Sequence, residues 1–140
     1  MKYTMILIKP NVVKKNKIGA VINALEDKRL IIRNMKMETL TRERAEGFYE
    51  IHRGKPFFDN LINFMTSCPI IEIVVEHDNC VEYVREVIGN TNPEKAEEGT
   101  IRKIFGDSLT ENAIHASDSP DNARKEITYI FGENYFNSLH

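Results

Sequence analysis

The sequence predicts an α+β fold in which an antiparallel sheet carries helices on its faces. Three observations lead there. Apolar, β-rich runs recur at residues 3–8, 30–40 and 70–75; apolar residues at helical spacing separate them; and the two kinds of segment alternate from the start of the chain. At 140 residues the chain fits one domain, 1–140, with enough length to bury a core without disulfide or metal staples.

Each element has a local reason. Residues 3–8 form a first strand, stopped by Pro10, which lacks a backbone donor and biases Lys9 away from helical geometry. Ile18, Val21, Ile22 and Leu25 mark one helical face, and in the following strand Met35 and Met37 alternate with Lys36 and Glu38. Thr41 can cap a helix that turns Ala45, Phe48 and Tyr49 to one side. A second short helix starts near Pro56 with Phe58, Leu61, Ile62 and Met65 inward, so the two make a helical hairpin. Residues 70–75 are a third strand whose only polar interruption is Glu72. Asp78 is then read as the cap of a helix that carries Val81, Val84 and Ile88 and ends at Gly89.

Residues 90–112 show no period, and a loop that long inside a small domain points to a site. A short strand over 113–117 then enters a helix through Ser119-Pro120-Asp121, an N-cap, a proline at the first helical position and an acid in the first turn; Ala123, Ile127, Ile130 and Phe131 face inward. The order βαβ, helical hairpin, βαβ, helix suits a ferredoxin-like (βαββαβ) sheet with an added hairpin and a long active-site loop. That architecture serves RNA-binding modules, regulators and enzymes alike.

Composition narrows the choice. Nineteen Lys and Arg against 21 Asp and Glu leave no general field for nucleic acid, and the strands lack an aromatic RNP1 pattern, so nucleic acid is not expected as a partner. Cys68 and Cys80 stand among apolar neighbours and read as buried thiols. The first residues do not make a secretory leader and no run approaches a membrane span, so the expected setting is cytoplasmic, without membrane association.

No G-x-x-x-x-G-K-[ST] element exists, which excludes a P-loop cradle. His115 remains, at the end of a strand that enters a helix. Residues 115–119 climb roughly 13 Å at the strand rise, and the helical steps from Pro120 to Glu126 return roughly 9 Å, so Glu126 can come back beside the imidazole. A carboxylate there can set the tautomer and support charge on a phosphorylated ring. Read alone, a strand histidine such as His115 is more often a satisfied structural residue than a nucleophile, and a lone Glu126 reads as a solvated helix residue.

The run Asn112-Ala113-Ile114-His115-Ala116-Ser117-Asp118 resembles the signature of the nucleoside diphosphate kinase family. The resemblance extends through Ile8-Lys9-Pro10, Gly47-Phe48-Tyr49 with His52, Lys55-Pro56-Phe57-Phe58, Gly89-Asn90-Thr91-Asn92-Pro93 and Gly99-Thr100-Ile101-Arg102. It implies a kinase that moves the γ-phosphate of a nucleoside triphosphate to a nucleoside diphosphate, ping-pong, through phosphorylated His115. It also implies that Glu126, Lys9 and Ser117 join the catalytic group, and that Lys9, Tyr49, Arg85, Thr91, Arg102 and Asn112 surround the phosphates and ribose. Phe57 matches the position on which the base stacks, with Leu61 beside it. Mg2+ is implied on the nucleotide phosphates rather than on protein ligands, with Asp118 reaching it through water, and a homo-oligomer, hexamer or tetramer, is expected. Three departures from the family pattern are Asn11 for Asp, Ala116 for Gly and Cys68 for Gly. A relative that has lost its chemistry and acts as a scaffold is the competing reading; retention of His115, Lys9, Arg102 and Asn112 argues against it.

Overall fold

The computed structural model describes residues 1–140. Its elements are β1 (Tyr3–Ile8), α1 (Pro10–Lys14), α2 (Ile18–Asp27), β2 (Ile31–Glu38), α3 (Arg42–Phe48), α4 (Phe58–Met65), β3 (Ile70–Glu76), α5 (Cys80–Ile88), α6 (Ile101–Phe105), β4 (Ile114–Ala116), α7 (Pro120–Phe131) and α8 (Glu133–Ser138). The strands pair antiparallel in the order β2-β3-β1-β4, the ferredoxin-like arrangement.

β1 lies between β3 and β4 and is buried on both faces, which is why it reads as an unbroken apolar run rather than as an alternating one. Ile6 and Ile8 join Ile71, Ile73 and Val75 under α2 and α5. Met5 and Leu7 join Ile70 and Val74 under α3, α4 and α7.

Several local expectations change. Pro10 does more than end the strand: with Lys9 as N-cap it starts α1, the first-turn position where its missing N–H costs nothing. Residues 90–112 are not structureless, since they hold a 3-10 turn at Pro93–Lys95 and the helix α6. Helix α5 is capped at Asn79 without a side-chain bond, so Asp78 is not its cap. The hairpin's second helix begins at Phe58, after a 3-10 turn at Glu50–His52. The tail is largely α8, and its Tyr135 and Phe136 pack on the chain's own core. Thr41 and Ser119 cap α3 and α7 as expected. Cys80 is buried and Cys68 half-buried. No helix is long and apolar enough to cross a membrane.

Candidate active site

The site forms where β1, the loop after α5, α6 and the start of α7 meet. The backbone N–H of Lys9 donates to the carbonyl of Ala113 at 2.8 Å, tying the end of β1 to the segment that leads into β4. Ala113 is buried at φ +78, a left-handed turn that strains any residue with a Cβ. That turn lets the chain present Asn112 on one side and enter β4 on the other. Lys9, only 6% exposed, donates from Nζ to Asn112 Oδ1 at 2.7 Å, and Asn112 Nδ2 donates to the Thr91 carbonyl at 3.0 Å.

Arg102 rises from α6, whose N-terminus is capped by Thr100 Oγ1. Its Nη1 and Nη2 donate to the carbonyls of Gly89 (3.0 Å) and Ile114 (2.9 Å), while Nε has no partner. Gly89 sits at φ +88, and a Cβ there would lie 2.6 Å from Thr100 Oγ1, so glycine is required by both backbone and space. Arg85 approaches from α5 and donates to the Ala116 carbonyl at 3.4 Å. The partners of these three cations are neutral carbonyls and an amide. Burial, and then the charge of Arg102, lower Lys9 to about 7; burial, and then Arg85, lower Arg102 to about 10.

His115 stands on β4 beside this cluster. Its Nε2 lies 2.8 Å from Glu126 Oε1, and Ser117 Oγ donates to the same oxygen at 2.7 Å. Glu126 Oε1 thus accepts a hydrogen bond from Nε2–H in the tautomer that leaves Nδ1 with its lone pair. The buried Tyr49 hydroxyl, edge-on to His115, has no hydrogen-bond partner; burial, and then the Glu126 charge, raise its pKa.

These groups line a cleft of about 830 Å³, the size of a small-molecule site. Lys9, Arg85, Thr91, Arg102 and Asn112 line it, and so do Tyr49, His115 and Glu126; Ser117 is buried behind Glu126. Phe57, 43% exposed, and the buried Leu61 supply apolar wall, and Asp118 is an exposed lining residue. Unpaired cations and two orphaned donors, Arg102 Nε and the Tyr49 hydroxyl, fit an anion with several oxygens. No group of three or more His, Cys, Asp or Glu side chains converges to hold a metal.

Sequence reasoning did not assign Asn11 to this architecture. The side chain is no simple turn cap: its Nδ2 donates to the Glu111 carbonyl (2.9 Å), Asp107 Oδ2 (2.9 Å) and the Phe105 carbonyl (3.4 Å), fastening the loop over the site. An aspartate could not donate here and would face the Asp107 carboxylate, so this departure has a partner elsewhere in the chain. His52, noted only as part of a motif, also lines the cleft, stacked on Tyr49 and 5.3 Å from Phe57. The apolar side chain of Ala116 is buried in β4, and its carbonyl is the one that receives Arg85.

Comparison with known proteins agrees with this site. The sequence model of the family described as nucleoside diphosphate kinase matches residues 2–136. A nucleoside diphosphate kinase of Lawsonia intracellularis is 50% identical over 131 residues, 94% of this chain and 95% of that one. Another, from Salinibacter ruber, is 45% identical over 93% and 92% of the two chains. Among solved structures, the Aquifex aeolicus nucleoside diphosphate kinase superposes with a TM-score of 0.91 at 38% identity, covering 95% of this chain and 96% of its own. The Halobacterium salinarum enzyme, solved in complex with CDP, gives 0.90 at 35% over 95% and 89%. On the family match, the relatives and the site together, this chain belongs to the nucleoside diphosphate kinase family.

Proposed function

We propose that the chain, as one catalytic domain, passes the γ-phosphate of a nucleoside triphosphate to a nucleoside diphosphate through His115. The observation that carries this reading is the Glu126–Nε2 contact, which leaves Nδ1 as the nucleophilic nitrogen beside a cluster of unpaired cations. In the first half-reaction the Nδ1 lone pair attacks the γ-phosphorus; the N–P bond forms as the bond to the β,γ-bridging oxygen breaks, and the diphosphate leaves with that electron pair. In the second, a terminal oxygen of another diphosphate attacks the phosphohistidine and the N–P bond breaks. Glu126, held by Ser117, supports the positive charge that the ring acquires.

Lys9 serves as a point charge on the transferring group, while Arg85 and Arg102 offer planar guanidinium donors to the other phosphate oxygens. Asn112 positions Lys9, Thr91 and the Tyr49 hydroxyl supply further donors, and Phe57 with Leu61 forms the apolar clamp for a base. Stacking reads a π face that every base presents, so purine and pyrimidine diphosphates are both accepted. A divalent ion, Mg2+ in this reading, would arrive on the nucleotide phosphates and neutralise their charge, with the cleft carboxylate Asp118 reaching it through water.

We also read the protein as cytoplasmic and as a homo-oligomer, hexamer or tetramer. Edge strand β2 has one unpaired side and exposes Ile31, Met35 and Met37, a surface suited to a second copy. Incubation with γ-labelled ATP and Mg2+ should leave an acid-labile label that a nucleoside diphosphate discharges. His115→Gln should abolish labelling and exchange, and Glu126→Gln should reduce them roughly 10–100-fold. Acid-stable label, or full exchange in a folded His115→Gln protein, would overturn the mechanism.

A further inference from the structure

Nothing in the chemistry above uses Gly47, Phe48 or Tyr129, although all three line the cleft. Gly47 belongs to the helix α3, where glycine is normally unfavourable. Its reason is space: a Cβ at that position would lie 2.2 Å from the hydroxyl oxygen of Tyr129 and 3.0 Å from Cζ. Tyr129, on α7, therefore presses against the bare backbone of α3. Its hydroxyl donates to the Arg44 carbonyl at 3.0 Å, and the Arg44 guanidinium lies over its ring at 5.3 Å.

The next ring in the stack is Phe48. It lies 6.3 Å from Tyr129 and 4.9 Å from Tyr49, and it meets His115 at 5.3 Å with 74° between the planes. Tyr49 meets the same imidazole at 5.9 Å and 86°. The hydrogen bond to Glu126 fixes one nitrogen of His115 but tolerates the small side-chain torsions that tilt the plane of the ring. Two edge-type aromatic contacts remove that freedom, because a tilt brings the imidazole out of both packing minima together. In-line attack depends on where the Nδ1 lone pair points, so holding the plane of the ring holds the direction of attack.

We propose that Phe48 is a positioning residue for phosphoryl transfer, wedged between Tyr129 and Tyr49 so that its ring sets the plane of His115, with Gly47 clearing the space the wedge needs. The proposal rests on the phosphohistidine reading, and a parent protein that takes no acid-labile label would sink that reading before any variant is compared.

With labelling established, Phe48→Ala should slow the single-turnover phosphorylation of His115 roughly 10–100-fold while the ADP dissociation constant changes less than about threefold, a loss in the transition state rather than in binding. In long-range proton–nitrogen spectra the His115 ring should lose its single sharp set of signals in the variant. Phe48→Leu, which keeps apolar volume, covers the case in which the alanine variant does not fold, and should show the same split with a smaller loss. Phe48→Tyr, which restores the ring, should return the rate to within about threefold of the parent.

Gly47→Ala should slow phosphorylation about tenfold by displacing Tyr129, and Tyr129→Phe in that background, which removes the clashing oxygen, should recover most of the loss. The idea fails if folded Phe48→Ala and Phe48→Leu phosphorylate at the parent rate, or if their loss appears in ADP affinity instead of rate. It also fails in its present form if Gly47→Ala leaves the rate untouched, since the wedge would then not depend on the gap.

Discussion

Replacing Glu72 with glutamine should stabilise the protein, and the gain should grow with pH. Glu72 lies on β3 with 0% of its side chain exposed, and neither carboxylate oxygen has a hydrogen-bond partner. From β2 it faces Glu38 and, at 4.0 Å, the Lys36 ammonium; from α3 it faces Arg44, which pairs with Glu38. Both cations are shared, since Lys36 Nζ (2.9 Å) and Arg44 Nη2 (3.3 Å) also donate to the Ile130 carbonyl on α7. Burial, and then the neighbouring Glu38 carboxylate, push Glu72 up to about 8. Burial also acts to raise Glu38, but its hydrogen bonds, that from Arg44 foremost, outweigh burial and leave Glu38 lowered.

The native state therefore keeps a proton on Glu72 that the unfolded chain, at 4.5, has already released. Its contribution is fully present below the unfolded value and disappears as pH rises through the native one, at about 1.4 kcal/mol for each pH unit between them. Between pH 5.5 and 7.5 the parent should lose about 2–3 kcal/mol relative to Glu72→Gln, whose amide does not titrate. Glu38, being lowered, acts only below its unfolded value and stays outside that window. Urea unfolding of both proteins at half-unit pH steps and one fixed protein concentration measures the difference directly. Parallel stability curves across that range would refute the reasoning.

Two further outcomes concern the cleft. Lys9, lowered to about 7 by burial and then by Arg102, should take up a proton when a polyphosphate arrives above that pH. Calorimetry of ADP binding at pH 8 in two buffers of different ionisation enthalpy should show an uptake of about half to one proton per site that is missing in Lys9→Met; equal heats in both buffers for the parent would exclude it. Phe57→Ala should raise KM about 5–20-fold for purine and pyrimidine diphosphates alike with kcat little changed, as expected for stacking worth about 1–2 kcal/mol; a loss confined to purines would refute the stacking role.

The parts of this molecule that could be read from the sequence are those with a local signature. The alternation around Met35 and Met37, the helical spacing from Ile18 to Leu25 and the Ser119-Pro120-Asp121 start of α7 each follow from short-range geometry, and they contributed to anticipating the order of elements and the ferredoxin-like type. The reach of Glu126 back to His115 was also legible, because strand and helix rises are fixed quantities. What escaped depends on residues distant in sequence. α6 has only five residues, too few to show a period, and it is held in place by Asn11 and by packing against α2 and α5. Asn11 itself reads as a turn residue until Asp107 and Glu111 are brought beside it. Glu72 looks like one polar interruption in a strand; only the approach of Lys36, Glu38 and Arg44 makes it an ionisable cluster.

The Lys9–Asn112 hydrogen bond joins residues 103 positions apart, and β1 is paired on its other side with β4 through Ile6–Ala116, Leu7–His115 and Ile8–Ile114. During synthesis the first residues of the site therefore leave the ribosome long before their partners exist. Until then β1 has only β3 beside it, with one edge bare and Lys9 without its amide partner. Closing so long a loop is among the slower steps available to a small chain. Competence for phosphoryl transfer thus arrives at the end of folding, and a prematurely terminated chain lacking residues 112–140 would hold three of the four strands but neither His115 nor Glu126, a species that cannot carry phosphate.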